Sequence, residues 1–320
     1  MQNILNSKVL FVVGPTAAGK TSLSIELARR YQGEILSSDS MQIYQGFTIG
    51  TAKATKEEQA EIPHHLLDMI EATGTYSVAE YQRDALELIE EIQGRGKTPI
   101  VVGGTGLYMQ SLLYQLDFSQ TNKNDSLRKE LESKDTKVLY DQLLAQDPEA
   151  KDQIHPNNRK RVIRALEILS DQERRKTDSF RKPRKEFSSI LIGINFRERS
   201  SLYKRINERV DLMIKAGWIE EIQSLIDQGV PKSAQAFQAI GYPELLQVIE
   251  GEIALEEAIE VIKQKSRRYA KRQLTWFRKE TNIRWFYWED YDCDPKKLFK
   301  AIHEAYQTVI QCQTEDTEEA

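Results

Sequence analysis

Eight residues near the start carry the clearest chemical signal: Gly14-Pro15-Thr16-Ala17-Ala18-Gly19-Lys20-Thr21. This is the spacing of a phosphate-binding loop. Its glycines let consecutive backbone N–H groups turn toward an anion, Lys20 brings a positive charge, and the Thr21 hydroxyl can hold Mg²⁺. The bland alternative is a strand-to-helix turn with no ligand, but such a turn has no need of Lys and Thr side by side. The loop alone does not say what becomes of the phosphates. Loops that serve phosphoryl transfer are usually accompanied by an apolar strand ending in Asp, which helps to hold the metal. Here the run Ile100-Val101-Val102 ends in Gly103-Gly104 instead.

A carboxylate appears elsewhere, in Ser37-Ser38-Asp39-Ser40-Met41-Gln42. If the residues before it form a strand beside the first one, a parallel sheet presents Asp39 next to the phosphate loop. Asp39 then has three readings: a metal ligand, a general base, or an N-cap of a short turn. Ser40 and Gln42 add neutral hydrogen-bonding groups suited to an uncharged base edge.

The surrounding elements fit that placement. Lys8 to Val13 is an apolar, β-branched run and reads as a buried parallel strand; a helix follows from Gly19 to about Arg30. Gly33 to Ser37 and Thr98 to Val102 read as further strands. Tyr76 to Gln93 and Leu107 to Leu116 read as helices. From Asp117 to about Lys185 the alternation stops and the pattern is helical throughout: Ser126 to Ser133, Thr136 to Gln146 and Asn157 to Ser170. Ser188 to Asn195 returns to the sheet. Helices resume at Leu202 to Ala216, Trp218 to Gln228, Pro243 to Glu250 and Ala254 to Phe277, before a last strand at Ile283 to Trp288. The expected fold is α/β: a P-loop NTPase-like parallel sheet flanked by helices, with an inserted all-helical subdomain. Its catalytic core comprises 1–116 and 187–313, the helical insertion 117–186, and a disordered acidic tail 314–320.

Composition narrows the class. Hydrophobic residues at 40% and charged residues at 29% exclude a disordered chain and a membrane protein. No apolar run approaches the roughly 20 residues that cross a bilayer. Met1 to Val13 lacks the basic start and cleavage site of a signal peptide, so a cytoplasmic location is expected. Cys293 and Cys312 are too few and too widely spaced for zinc and are read as free thiols. The net charge of −4 hides two basic stretches: 11 Lys/Arg against 4 Asp/Glu from Arg159 to Lys185, and 8 against none from Lys263 to Lys279. Both are candidate polyanion surfaces.

Several strings, in one order along the chain, resemble the tRNA dimethylallyltransferases, also called tRNA isopentenyltransferases or IPP transferases. They are the loop Gly14 to Thr21, Ser38-Asp39-Ser40-Met41-Gln42-Ile43-Tyr44, Gly50-Thr51-Ala52-Lys53 and Pro63-His64-His65-Leu66-Leu67-Asp68. They continue with Gly103-Gly104-Thr105-Gly106-Leu107-Tyr108, His155-Pro156-Asn157-Asn158-Arg159 leading into Arg161 to Glu167, Gln238 to Tyr242 and Lys271-Arg272-Gln273-Leu274-Thr275-Trp276. The resemblance implies prenylation of the exocyclic N6 of the adenosine beside the anticodon, position 37, with dimethylallyl diphosphate as donor and Mg²⁺ as cofactor. It implies Asp39 as the base, with Lys20, Thr21 and an Arg on the diphosphate. Arg209 is the chosen Arg and Arg205 its competitor. A flipped-out adenine would be gripped by Asp39, Ser40, Met41, Gln42 and Thr105. The anticodon stem-loop would meet Arg128 and the helix Lys160-Arg161-Val162-Ile163-Arg164, against the plain reading of a solvated basic face.

Lys271 to Arg278 reads equally well as RNA contact or core. His64-His65 reads as packing or bonding near Asp68 rather than metal ligation, because neighbours on regular backbone point apart. Trp285 to Trp288 reads as core. The protein is expected to act as a monomer. Two further readings remain at this point: an ATP-dependent small-molecule or nucleotide kinase, and an RNA-binding P-loop protein without catalysis.

Overall fold

The computed structural model describes residues 8–116, 125–170 and 182–315. The chain divides into two compact units, Met1–Leu113 with Arg184–Ala320, and Tyr114–Pro183. The second unit thus begins and ends three residues before the expected 117–186.

In the first unit six strands form one parallel sheet: β1 Lys8–Val13, β2 Gly33–Ser38, β3 His64–His65, β4 Thr98–Gly103, β5 Ser188–Asn195 and β6 Arg284–Tyr287. Their order across the sheet is β3-β2-β4-β1-β5-β6. β1 illustrates why this sheet forms. Its residues alternate between faces, so Leu10 and Val12 enter the core on one side while Val9, Phe11 and Val13 enter the core on the other. Helices α1 Lys20–Tyr31, α2 Lys56–Glu61, α3 Val78–Gly94 and α4 Gly106–Leu113 come from the first half. α3 starts at a capping box between Ser77 and Glu80 and buries Tyr81, Ala85, Ile89 and Ile92, one stripe at helical spacing.

The second unit holds α5 Asp125–Ser133, α6 Thr136–Gln146, α7 Ala150–Gln153 and α8 Arg159–Ser170. They share a small core of their own, with Leu131, Leu139, Leu143, Val162, Ile163 and Leu166 buried. Back in the first unit come α9 Arg199–Lys215, α10 Trp218–Asp227, α11 Tyr242–Ile249, α12 Leu255–Phe277 and α13 Pro295–Glu315. Trp218, Phe47, Phe237 and Tyr242 build a separate aromatic core beneath the loop that follows Asp39.

Four elements have no counterpart in the sequence reading: β3, α2, α7 and α13. β3 is two residues long, too short to show a period, and α2 buries no side chain. α13 runs to Glu315, so Thr314 and Glu315, expected in a disordered tail, are helical; the other tail residues lie outside those described. Cys293 is exposed and unpaired, and the side chain of Cys312 lies outside the described residues.

Candidate active site

Strand register assembles the site. Val13 and Ser38 both pair with Gly103, so β1, β4 and β2 end level. The residues that follow them, Gly14 to Lys20, Gly104-Thr105 and Asp39, therefore meet at one edge of the sheet, where parallel sheets hold ligands. The strands lie so close there that a side chain on Gly103 would sit 2.2 Å from the Ser38 carbonyl oxygen. An acidic residue at the end of β4 is excluded by the same contact.

The phosphate loop is held open from several sides. Gly14 adopts φ +153°, and a Cβ there would lie 2.3 Å from the Ile194 oxygen. Ala17 is left-handed at φ 63°, an uncommon state for a residue with a side chain, and turns the loop amides. Gly19, left-handed at φ 92°, starts α1 with no side-chain cap, so the first N–H groups of the helix remain available to an anion. Trp288, buried after β6, donates its indole N–H to the Ala18 oxygen at 2.8 Å. The reading of Trp288 as core thus holds, and it also braces the loop.

A cleft of about 500 Å³ opens over this edge, lined by Thr16, Lys20, Thr21, Asp39, Gly104 and Arg209 among others. It continues into a second lobe of about 290 Å³, where Asp39, Ser40 and Met41 face apolar walls from Ile206, Met213, Trp218 and Ile240. Asp39, Thr16, Arg209 and Tyr269 border both lobes.

Electrostatics in the cleft are tuned. Burial and the neighbouring Arg209 push the Lys20 ammonium down to about 7, while Asp39 opposes them. Its Nζ donates to the Pro15 oxygen at 2.9 Å. Burial raises the Asp39 carboxyl above the usual carboxylate range, and the Met41 N–H, Lys20 and Arg209 hold that rise back. Asp39 Oδ1 accepts from the Met41 N–H at 2.9 Å. The turn-capping role is real, and it aims a carboxylate into the cleft. Arg209, from α9, is lowered by burial and donates through Nη1 to Thr16 Oγ1 at 3.0 Å. Arg205 lines the same cleft with its guanidinium over the rings of Phe196 and Trp288, 5.5 Å from each centroid. Of the two arginines, Arg209 is the one bonded to the phosphate loop.

Thr105 accepts the Ser40 N–H through Oγ1 at 3.1 Å, and its own N–H reaches the Ser38 oxygen at 3.2 Å. It thereby fixes the Asp39 loop. Gln42 lines the cleft, but its amide is used internally: it accepts from Ser37 Oγ at 2.8 Å and donates to the Thr51 and Ala52 oxygens. His65 bonds Glu34 at 2.7 Å and His64 the Ile62 oxygen, while Asp68 pairs with buried Lys53. The histidines do point apart, yet the Asp68 partner is a lysine. Sequence reasoning assigned no role to Gln273 or Tyr269. They stand one turn apart on α12, both on the cleft; the apolar-polar-basic mixture of that helix concealed them.

The model of the IPP transferase family matches residues 42–280. The chain belongs to the IPP transferase family. It is 48% identical over 301 residues to the tRNA dimethylallyltransferase of Anoxybacillus flavithermus, covering 93% of this chain and 96% of that one. Among solved structures it resembles the full-length tRNA isopentenylpyrophosphate transferase of Bacillus halodurans, with a TM-score of 0.74 and 42% identity, over 98% of this chain and all of that one. A eukaryotic dimethylallyltransferase acting on tRNA superposes with a TM-score of 0.79 at 29% identity, over 95% of this chain and 80% of that one.

The basic helix α8 corrects one expectation. Val162 and Ile163, expected to touch RNA, are 0% and 3% exposed and belong to the core of the second unit. The helical period dictates this: Lys160, Arg161 and Arg164 occupy the outward face. Arg128 and Arg164 are exposed as well and share Glu167, at 3.1 Å each.

Proposed function

We propose that the protein transfers a dimethylallyl group from dimethylallyl diphosphate to the exocyclic N6 of adenosine 37 in tRNA, releasing diphosphate. One observation carries this reading: Asp39 shares a cleft with an uncapped phosphate loop, while β4 has no room for the carboxylate that phosphoryl-transfer loops use. Membership of the family favours it over a kinase.

The chemistry follows from the parts. The N6 lone pair is delocalised into the adenine ring and is a weak nucleophile, so its proton must leave as the new bond forms. N6 attacks C1 of the donor, the C1–O bond breaks with its electrons passing to diphosphate, and Asp39 receives the N6 proton. A raised pKa suits Asp39 to that transfer. Lys20 and Arg209 face the growing negative charge, and binding an anion returns Lys20 to its charged form. Within the second lobe the apolar side chains of Ile206, Met213 and Ile240 offer a wall for a hydrocarbon group. Mg²⁺ normally takes one or two protein ligands and completes its shell with phosphate oxygens and water. Thr21 on the cleft wall fits that donor set, and among the described residues no group of three His, Cys, Asp or Glu could hold a metal unaided. When bound with the diphosphate, the ion neutralises charge on the leaving group.

The exposed cations Arg128, Lys160, Arg161 and Arg164 fit the phosphate backbone of the anticodon stem-loop. No helix among the described residues is long and apolar enough to cross a membrane. Incubation with bulk tRNA, Mg²⁺ and labelled dimethylallyl diphosphate, followed by nucleoside analysis, should yield N6-prenyladenosine with no ATP present. Transfer of phosphate from ATP, with no prenylated nucleoside, would establish the kinase instead.

A further inference from the structure

Gln273 is a buried polar side chain whose two amide ends reach different loops of the cleft. Its Oε1 accepts the Thr16 N–H at 2.8 Å, and its Nε2 donates to the Gly104 oxygen at 3.1 Å. The span is tight: a Cβ on Gly104 would come 1.9 Å from Nε2, so only glycine leaves room for the bridge. On one side Thr16 carries Arg209 through its hydroxyl. On the other, Thr105 follows Gly104 and holds the Ser40 N–H, the residue after Asp39. The groups that face the leaving diphosphate and the loop that carries the base thus meet through one glutamine.

We propose that Gln273 is a positioning residue for prenyl transfer, its amide setting the separation between the Thr16–Arg209 side and the Thr105–Asp39 side of the cleft. The inference rests on the reaction proposed above. An amide suits this task and its isosteres do not. Leucine removes both bonds and leaves a buried N–H and C=O without partners. A carboxylate keeps the bond to Thr16 but cannot donate to Gly104 until it is protonated.

The test compares Gln273→Leu, Gln273→Glu and Gly104→Ala with the unmodified protein, measuring prenyl transfer, the KM for tRNA, inorganic diphosphate binding and thermal melting. Q273L should lower kcat tenfold or more, with the KM for tRNA within twofold and the protein folded at the assay temperature. The ratio of kcat for Q273E to that of the unmodified protein should rise as pH falls, since a protonated carboxyl regains the bond to Gly104. Fitting the acid limb of each protein by itself separates the titration of Asp39 from that of the new carboxyl. If the bridge is the shared route, G104A and Q273L should lose no more together than the worse does alone. A kcat for Q273L within twofold, or a ratio flat with pH, overturns the proposal. Should Q273L fail to fold, the Q273E ratio and the G104A rate decide alone. Absence of transfer by the unmodified protein would instead overturn the reaction itself, and the effect of each variant on diphosphate binding separates the two failures.

Discussion

At the residue scale, burial displaces the proton affinities of two groups in opposite senses, raising that of Asp39 and lowering that of Lys20. Asp39 must be ionised to accept a proton, so kcat/KM should fall as pH drops through its raised pKa. Lys20 must be protonated to meet diphosphate, so kcat/KM should fall again as pH rises past about 7. A bell-shaped profile is expected, and Lys20→Arg should remove its alkaline limb. Asp39→Asn should cut transfer by about 10²- to 10⁴-fold with tRNA affinity retained; near-normal turnover would remove Asp39 as the base. Lys20 also bears on stability. Between about 7 and its unfolded value of 10.5 the unfolded chain binds a proton that the folded chain does not, so folding stability gains from this group as pH rises through that window. At pH 7 and below the desolvated ammonium burdens the fold. Lys20→Met should therefore raise the melting temperature while abolishing diphosphate binding. The phosphate loop was legible in the sequence because glycine, lysine and threonine at fixed spacing have few other uses, whereas Asp39 as base was only what the family resemblance implied. Gln273 was not legible: nothing in a helix sequence says that one amide will span two loops from far along the chain.

Among the elements, the level ends of β1, β2 and β4 do the assembling. Gly103 is the tightest point, and Gly103→Ala should destabilise the fold by about 1–3 kcal/mol, read from denaturant midpoints, because backbone must move. It should also slow transfer by displacing Asp39, whereas unchanged stability and rate would show that the register tolerates a methyl group there. Alternating apolar residues in β1 and the periodic stripe of α3 made these elements readable in advance. α13 was not read. Its buried Leu298, Ile302, Ala305 and Tyr306 recur at the same helical spacing that made α3 readable, and it packs on α1 through Tyr31, His303 and Tyr306. β3 offered no period to read, and its two histidines serve Glu34 and a backbone carbonyl.

For the whole molecule, one basic stretch surrounds α8 in the second unit and the other, Lys263 to Lys279, lies on and just after α12 in the unit that holds the cleft. Reversing charge with Arg161→Glu and Arg164→Glu should weaken tRNA binding and flatten the salt slope by about two, with diphosphate affinity unchanged. Equal affinity at every salt concentration would leave the basic face of α8 without that role. The basic excess around α8 was visible from composition, but which side chains face outward became clear only from the helix packing that buries Val162 and Ile163. The central claim is that the phosphate loop holds a departing diphosphate and that carbon is the atom attacked. Dimethylallyl diphosphate carrying ¹⁸O in the bridge between C1 and phosphorus tests it directly. All the heavy oxygen should leave with the released diphosphate while the prenyl group appears on adenosine N6. Heavy oxygen retained on the prenyl alcohol, with phosphate carried to an acceptor, would contradict it.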